Sequence, residues 1–140
     1  MALPTPVPGL VIGYEFLFRE DHAAGRENAN RPHPCAIIIV TEDGPHQRVR
    51  VVAISHAPPS PSAAAHHMQL TPAECRQIGQ DHADHWVNLR DINGFDWPGY
   101  DLKPIAPGKN YAFGRLPRAT FARLVAAMKA CAGHKTIPRD

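Results

Sequence analysis

The chain is short of cysteine, of aromatic residues and of long hydrophobic runs. Three cysteines, Cys35, Cys75 and Cys131, stand among 140 residues. Their number is odd and their spacings match neither a disulfide framework nor a zinc-binding pattern. They read as reduced, mostly buried thiols of a cytoplasmic protein. No apolar run approaches the roughly 20 residues a membrane span needs, so no membrane association is expected. Residues 1–8 show no basic segment followed by an apolar core, which argues against a secretory leader. There is no Walker loop, no GxGxxG, no GxSxG nucleophile elbow and no HExxH, so the common nucleotide-binding, serine-hydrolase and zinc-protease signatures are missing. Nine histidines are present, but His66-His67 and the i, i+3 pair His82 and His85 are the only close pairs. Neither belongs to a Cys/His set with metal-finger spacing, and no metal or other cofactor is expected.

What is there fits one compact unit. A chain of this length suits a single domain over residues 1–140 with a core of its own. Hydrophobic residues make up 44% and charged residues 20%, a globular balance. Prolines number 15, about twice the usual share of roughly 5%, and they cluster between periodic segments. That is how short strands joined by stiff loops read. Charge is unevenly spread. Residues 1–101 hold seven Lys/Arg against twelve Asp/Glu, while 102–140 hold eight against one. A basic half can attract phosphate backbones, or it can be the solvated face of a helix.

Residues 10–18 (LVIGYEFLF) read as a strand and 19–33 as a long polar loop with three arginines, Arg19, Arg26 and Arg31. Residues 35–40 (CAIIIV) read as a doubly buried strand. A turn at 42–45 leads to a partner strand at 48–55. Thr71-Pro72-Ala73-Glu74 is a capping box with proline at the first helical position, predicting an inserted helix that Gly79 can end. Residues 85–92 read as another strand, 97–99 as a turn, and 101–105 and 111–116 as two short strands. From Pro117 onward, Phe121, Leu124, Val125, Met128 and Cys131 form one apolar stripe of a helix that Gly133 can close. The expected fold is mainly β with helices: a small, curved antiparallel barrel with an inserted helix and a C-terminal amphipathic helix.

Taken in order, several stretches resemble one family. Pro8-Gly9-Leu10-Val11 opens a strand. Arg31-Pro32-His33-Pro34-Cys35-Ala36-Ile37-Ile38 follows a polar loop. Ala53-Ile54-Ser55-His56 ends a strand. Asp91-Ile92-Asn93-Gly94-Phe95-Asp96-Trp97 carries a strand aspartate, and Gly114-Arg115-Leu116-Pro117 precedes the last helix. This succession resembles the MazF/PemK (CcdB/Kid-like) toxins. The resemblance spans nearly the whole chain and implies an SH3-like barrel that acts as a homodimer. It also implies the toxin half of a type II toxin–antitoxin system, a metal-independent endoribonuclease on single-stranded RNA that an antitoxin peptide neutralises.

Metal-free cleavage of RNA needs a base for the 2′-hydroxyl proton, an acid for the leaving 5′-oxygen, and donors for the charge on phosphorus. By the resemblance, His33 stands where the family has an arginine before proline. Arg31, two residues earlier, also precedes a proline, and either residue can act as acid or phosphate clamp. Ser55 stands for a threonine that contacts the scissile phosphate, His56 beside it is a possible base, and Asp91 matches an aspartate used in RNA binding or as base. The expected catalytic set is therefore His33, Ser55 and Asp91. Arg26, Arg31, His56, Trp97 and Phe18 are the expected RNA contacts, the two aromatics by stacking on bases. Leu89 holds the place of an arginine found in some members, while Arg90 falls on the opposite strand face. The alternative is a non-catalytic RNA- or protein-binding barrel of the same descent. Each residue also has a structural role open to it. Ser55 and His56 can cap a strand end, Asp91 can accept backbone bonds in a turn, Trp97 can plug a core, and Arg31 can be a solvated loop charge.

Overall fold

The computed structural model describes residues 3–23, 25, 32–81, 83–105 and 110–139. Arg26, Arg31 and His82 lie outside the described residues. The strands are β1 (Leu10–Tyr14), β2 (His33–Asp43), β3 (His46–Ser55), β4 (His67–Leu70), β5 (His85–Asn88), β6 (Asp91–Asp96), β7 (Ala112–Arg115) and β8 (Lys135–Pro138). The helices are α1 (Arg19–Ala23), α2 (Pro72–Gln77) and α3 (Arg118–Ala130), with a 3-10 turn at Pro61–His66.

The β2–β3 hairpin is the backbone of the sheet. Its sequence is dense in isoleucine and valine, which suit a pleated surface buried on both sides. Gly44 (φ +61°) makes the tight reversal that a side chain would strain. Eight register pairs run from Cys35 opposite Ala53 to Asp43 opposite His46, with a bulge between Ile37 and Ile39. The order β4-β5-β3-β2-β1-β7 follows, with β6 joining β3 and β8 joining β6. All described ladders are antiparallel except β6 with β8. No described ladder joins β4 to β7, so the result is a mainly antiparallel, open eight-stranded sheet.

Strand β3 is shared between two neighbours on one edge. Its first half, Arg48 to Val51, pairs with β6, and its end, Ile54 and Ser55, pairs with β5. The single strand expected over 85–92 is therefore two. The cause is Asn88, whose Oδ1 accepts the amides of both Arg90 and Asp91 at 2.9 Å. That local bond turns the chain where a ladder would otherwise continue.

Alternation along β2 and β3 builds a core on each face. Val49, Val51 and Ala53 join Ile12, Tyr14, Phe16, Cys35, Ile37, Phe95 and Leu102. Val52 and Ile54 join Val11, Ala36, Leu70, Cys75, Ile78, Val87, Ile92, Leu116 and Leu124, with Phe121, Met128 and Cys131 packed against them. The second core is covered by α2 and α3, as the apolar stripe predicts. Cys35 and Cys75 are buried and Cys131 is half-buried; all three are free thiols. Burial raises the Cys35 thiol above its ordinary range.

Other boundaries also differ from expectation: β2 runs from His33 to Asp43 rather than over 35–40, and β4 forms where no strand was expected. β1 ends at Tyr14 because the buried Asn93 side chain captures the next stretch: Leu17 N donates to Asn93 Oδ1 and Asn93 Nδ2 donates to Leu17 O, both at 2.8 Å. The loop at 19–33 opens with the helix α1. Residues 101–105 form no strand; Leu102 makes one bridge to Tyr14, and Pro104 has no amide to extend it. Gly13 permits this close approach, since a Cβ there would lie 2.7 Å from the Lys103 carbonyl oxygen. Finally, the chain does not stop at α3. It turns at Gly133 and adds β8, whose Ile137 is its one buried residue. One apolar position in four carries no readable alternation.

The capping box is present as predicted, with Glu74 N donating to Thr71 Oγ1 at 3.2 Å and Thr71 N to Glu74 Oε1 at 2.9 Å. Glu74 does more than cap α2. It accepts the Thr120 hydroxyl and both terminal nitrogens of Arg123, at 3.0 and 3.1 Å, so it fastens α3 to α2. Burial pushes its carboxyl up, but the bonds from Thr120, Thr71 and Arg123 outweigh this and hold it down to about 2.

Two predictions follow from these ties. A depressed folded-state pKa stabilises above the unfolded value and loses that contribution as pH falls through the folded value. Glu74→Gln is therefore expected to destabilise the protein by about 1–3 kcal/mol at pH 7, with the difference from wild type shrinking between about pH 5 and pH 2. Urea unfolding across that range checks it. Asn93→Ala is expected to lower stability by about 1–3 kcal/mol, because it strands the buried Leu17 amide and carbonyl; the same unfolding measurement reads it.

Candidate functional site

The end of β3 and the start of β2 lie side by side. Cys35 pairs with Ala53, so the residues just before Cys35 and just after Ala53 meet at one edge of the sheet. There a groove of about 160 Å³ is lined by Pro32, His33, Pro34, Ile54, Ser55, His56, Gln80 and His85. Its volume is below the roughly 300–1,000 Å³ of a drug-sized pocket and suits a single phosphate or sugar unit.

Three of the expected residues therefore share one place. Ser55 Oγ accepts the Ala57 amide at 3.1 Å, a turn-forming bond that leaves its proton free to donate elsewhere. His56 is exposed. The His33 and Phe18 rings meet in a T-shaped contact, with centroids 5.5 Å apart, and Phe18 leans on Phe16 at 4.8 Å. Phe18 thus braces the His33 ring from the side.

His85 is the residue that sequence reasoning missed. It opens β5 opposite Leu70, is only 4% exposed, and its ring centroid lies 6.3 Å from that of His56. Its Nδ1 lies 2.9 Å from the Ala83 carbonyl oxygen. A carbonyl only accepts, so Nδ1 carries the proton and Nε2 of the neutral ring keeps its lone pair. The available signal was the alternation His85, Val87 on one side of β5, which marks His85 as inward-facing.

Asp91 is not among the groove's lining residues. It is 6% exposed, and its carboxylate accepts the Arg19 Nε in an ion pair and the Arg19 amide at 3.2 Å. Arg19 also donates to the carbonyls of Arg90 at 3.1 Å and Gly133 at 2.7 Å. This pair knots α1, β6 and the α3–β8 connection together. Trp97 stacks on Phe95 with centroids 6.3 Å apart and is packed against the core rather than held free.

The other histidine pair is occupied in bonding. His67 Nδ1 donates to Ala63 O at 2.8 Å, and Arg90 donates to His66 Nε2 at 3.2 Å. Partial desolvation, with the neighbouring Arg90 charge, lowers the His66 pKa. Among the described residues no group of three or more His, Cys, Asp or Glu is placed to hold a metal ion, and no helix is long and apolar enough to cross a membrane. Larger clefts exist. One of about 500 Å³ beside α3 is lined mainly by aliphatic groups with Arg50, Lys129 and His134, and its histidine is tied through Nε2 to the Met128 carbonyl at 2.7 Å. Another of about 420 Å³ holds Arg115 and Arg118 but no acid–base group near neutrality. The small groove alone among these described clefts gathers several imidazoles and a hydroxyl.

No family model, no curated protein and no solved structure matches the chain.

The Arg19–Asp91 pair makes a structural claim that can be measured. Asp91→Asn is expected to cost about 1.5–3 kcal/mol in urea unfolding, the range for a hydrogen bond to a charged group. A variant as stable as wild type would show that the pair holds nothing together.

Proposed function

We propose that this protein is a metal-independent endoribonuclease that cuts single-stranded RNA at the groove between the start of β2 and the end of β3. The observation that carries the reading is that His33, at the start of β2, meets the adjacent pair Ser55 and His56, at the end of β3, in one small groove. Imidazoles titrate near neutrality, with an ordinary pKa of about 6.5, and so can both give and take protons at working pH. The Ser55 hydroxyl can donate to a non-bridging phosphate oxygen. His33 supplies a proton or a positive charge beside it, with Phe18 packed against its ring. The resemblance to the MazF/PemK toxins supports the same reading. With it come an SH3-like barrel for the open sheet, a cytoplasmic homodimer, and an antitoxin peptide that competes with RNA. Two cores on opposite faces of a sheet of short strands are compatible with such a barrel.

A second reading, an RNA- or protein-binding module without cleavage, is favoured by one observation: Asp91 is already committed to Arg19. A long unstructured RNA incubated with the purified protein in EDTA separates the two. Cleavage is expected, yielding 2′,3′-cyclic phosphate and 5′-hydroxyl ends, with none on a 2′-deoxy substrate. His33→Ala and Ser55→Ala are each expected to slow it by about 10-fold or more. RNA retention that weakens with salt but gives no product would support the second reading. Intact, unbound RNA would sink both.

A further inference from the structure

We propose that His85 is the general base of this groove and His56 its general acid; the assignment rests on the endoribonuclease reading above. The two rings are placed for a divided task. At 6.3 Å between centroids they are too far apart to bond to each other directly. They are close enough for each to reach, within about 3 Å, an oxygen of a phosphodiester held between them. Their surroundings differ in the way the two roles require. His85 is 4% exposed, and the Ala83 carbonyl fixes its Nδ1 proton at 2.9 Å. The orientation and tautomer are set before substrate arrives, with Nε2 as the open acceptor. This is the role that a buried acceptor plays behind any positioned catalytic imidazole. His56 is exposed and can regain a proton from water after each turnover.

The step balances. Nε2 of His85 takes the proton of the ribose 2′-hydroxyl, and the 2′-oxygen forms a bond to phosphorus. The bond from phosphorus to the 5′-oxygen breaks, and that oxygen leaves with the proton of protonated His56. Ser55 and His33 donate to the phosphate oxygens while charge gathers there. Products are a 2′,3′-cyclic phosphate and a 5′-hydroxyl, and the exchange of protons with water restores both rings.

The test separates a catalytic His85 from a structural one. Asparagine places an amide N–H where Nδ1 sits, keeping the bond to Ala83, but has nothing in place of Nε2. His85→Asn is expected to keep its near-ultraviolet circular dichroism and its affinity for a 2′-deoxy RNA analogue, and to lose about 10²–10⁴-fold in cleavage rate. A folded His85→Asn that cleaves at the wild-type rate overturns the assignment while leaving the nuclease reading in place. A wild-type protein that cuts no RNA overturns both. A second arm needs no change at His85. An RNA with sulfur in place of the leaving 5′-oxygen departs without an acid. It is therefore expected to restore His56→Ala to within about 10-fold of wild type on the same substrate. Failure to restore it removes His56 from the acid role and with it the pairing proposed here.

Discussion

Strand β3 is paired along both edges and, from Val51 to Ile54, buried on both faces, and the rest of the molecule is arranged around that constraint. Its alternating residues divide between two cores, so a slip of one residue would exchange the two sets and leave neither packed. β2 is locked to one edge. The other edge is split, with β6 on its first half and β5 on its end. Because register is fixed by both cores at once, the last residues of β3 have one possible position relative to the first residues of β2. Ser55 and His56 meet His33 for that reason, and the groove is a consequence of strand register rather than of loop geometry.

A few polar ties hold the remaining pieces against this frame. Asn93 binds the backbone of Leu17, Asp91 binds Arg19, and Glu74 binds Thr71, Thr120 and Arg123. The Asn93 and Asp91 ties join segments distant in sequence and are largely sheltered from water, where hydrogen bonds are stronger and unmatched groups cost more; the Glu74 tie joins α2 to α3 nearer the surface. Asp91 illustrates the competition between structure and chemistry. Its carboxylate is engaged by the Arg19 guanidinium and backbone amide and is spent on holding α1 to β6.

The groove itself is small, and its side chains differ in exposure: His85 enclosed, His56 in solvent, Ser55 and His33 between them. Such a gradient lets one group be preorganised while another exchanges protons with water. At about 160 Å³ the groove has room for one small group such as a phosphate.

The residue pattern alone determined the parts whose signals are local. Density of β-branched residues marked the β2–β3 hairpin, the Thr71–Glu74 box marked the start of α2, and the stripe from Phe121 to Cys131 marked α3. His33, Ser55 and His56 are candidates through the family resemblance, and the pairing of β2 with β3 brings them together. Tertiary structure alone decided the break between β5 and β6, made by one asparagine side chain, and the addition of β8, whose single buried isoleucine has no periodicity to read. It also decided which polar residues are spent on architecture. Nothing in the run around Asp91 announces Arg19, and nothing around His85 announces His56. Those pairings depend on strand register across two edges of β3, and register is set by the simultaneous filling of two cores, a property no short stretch of sequence contains.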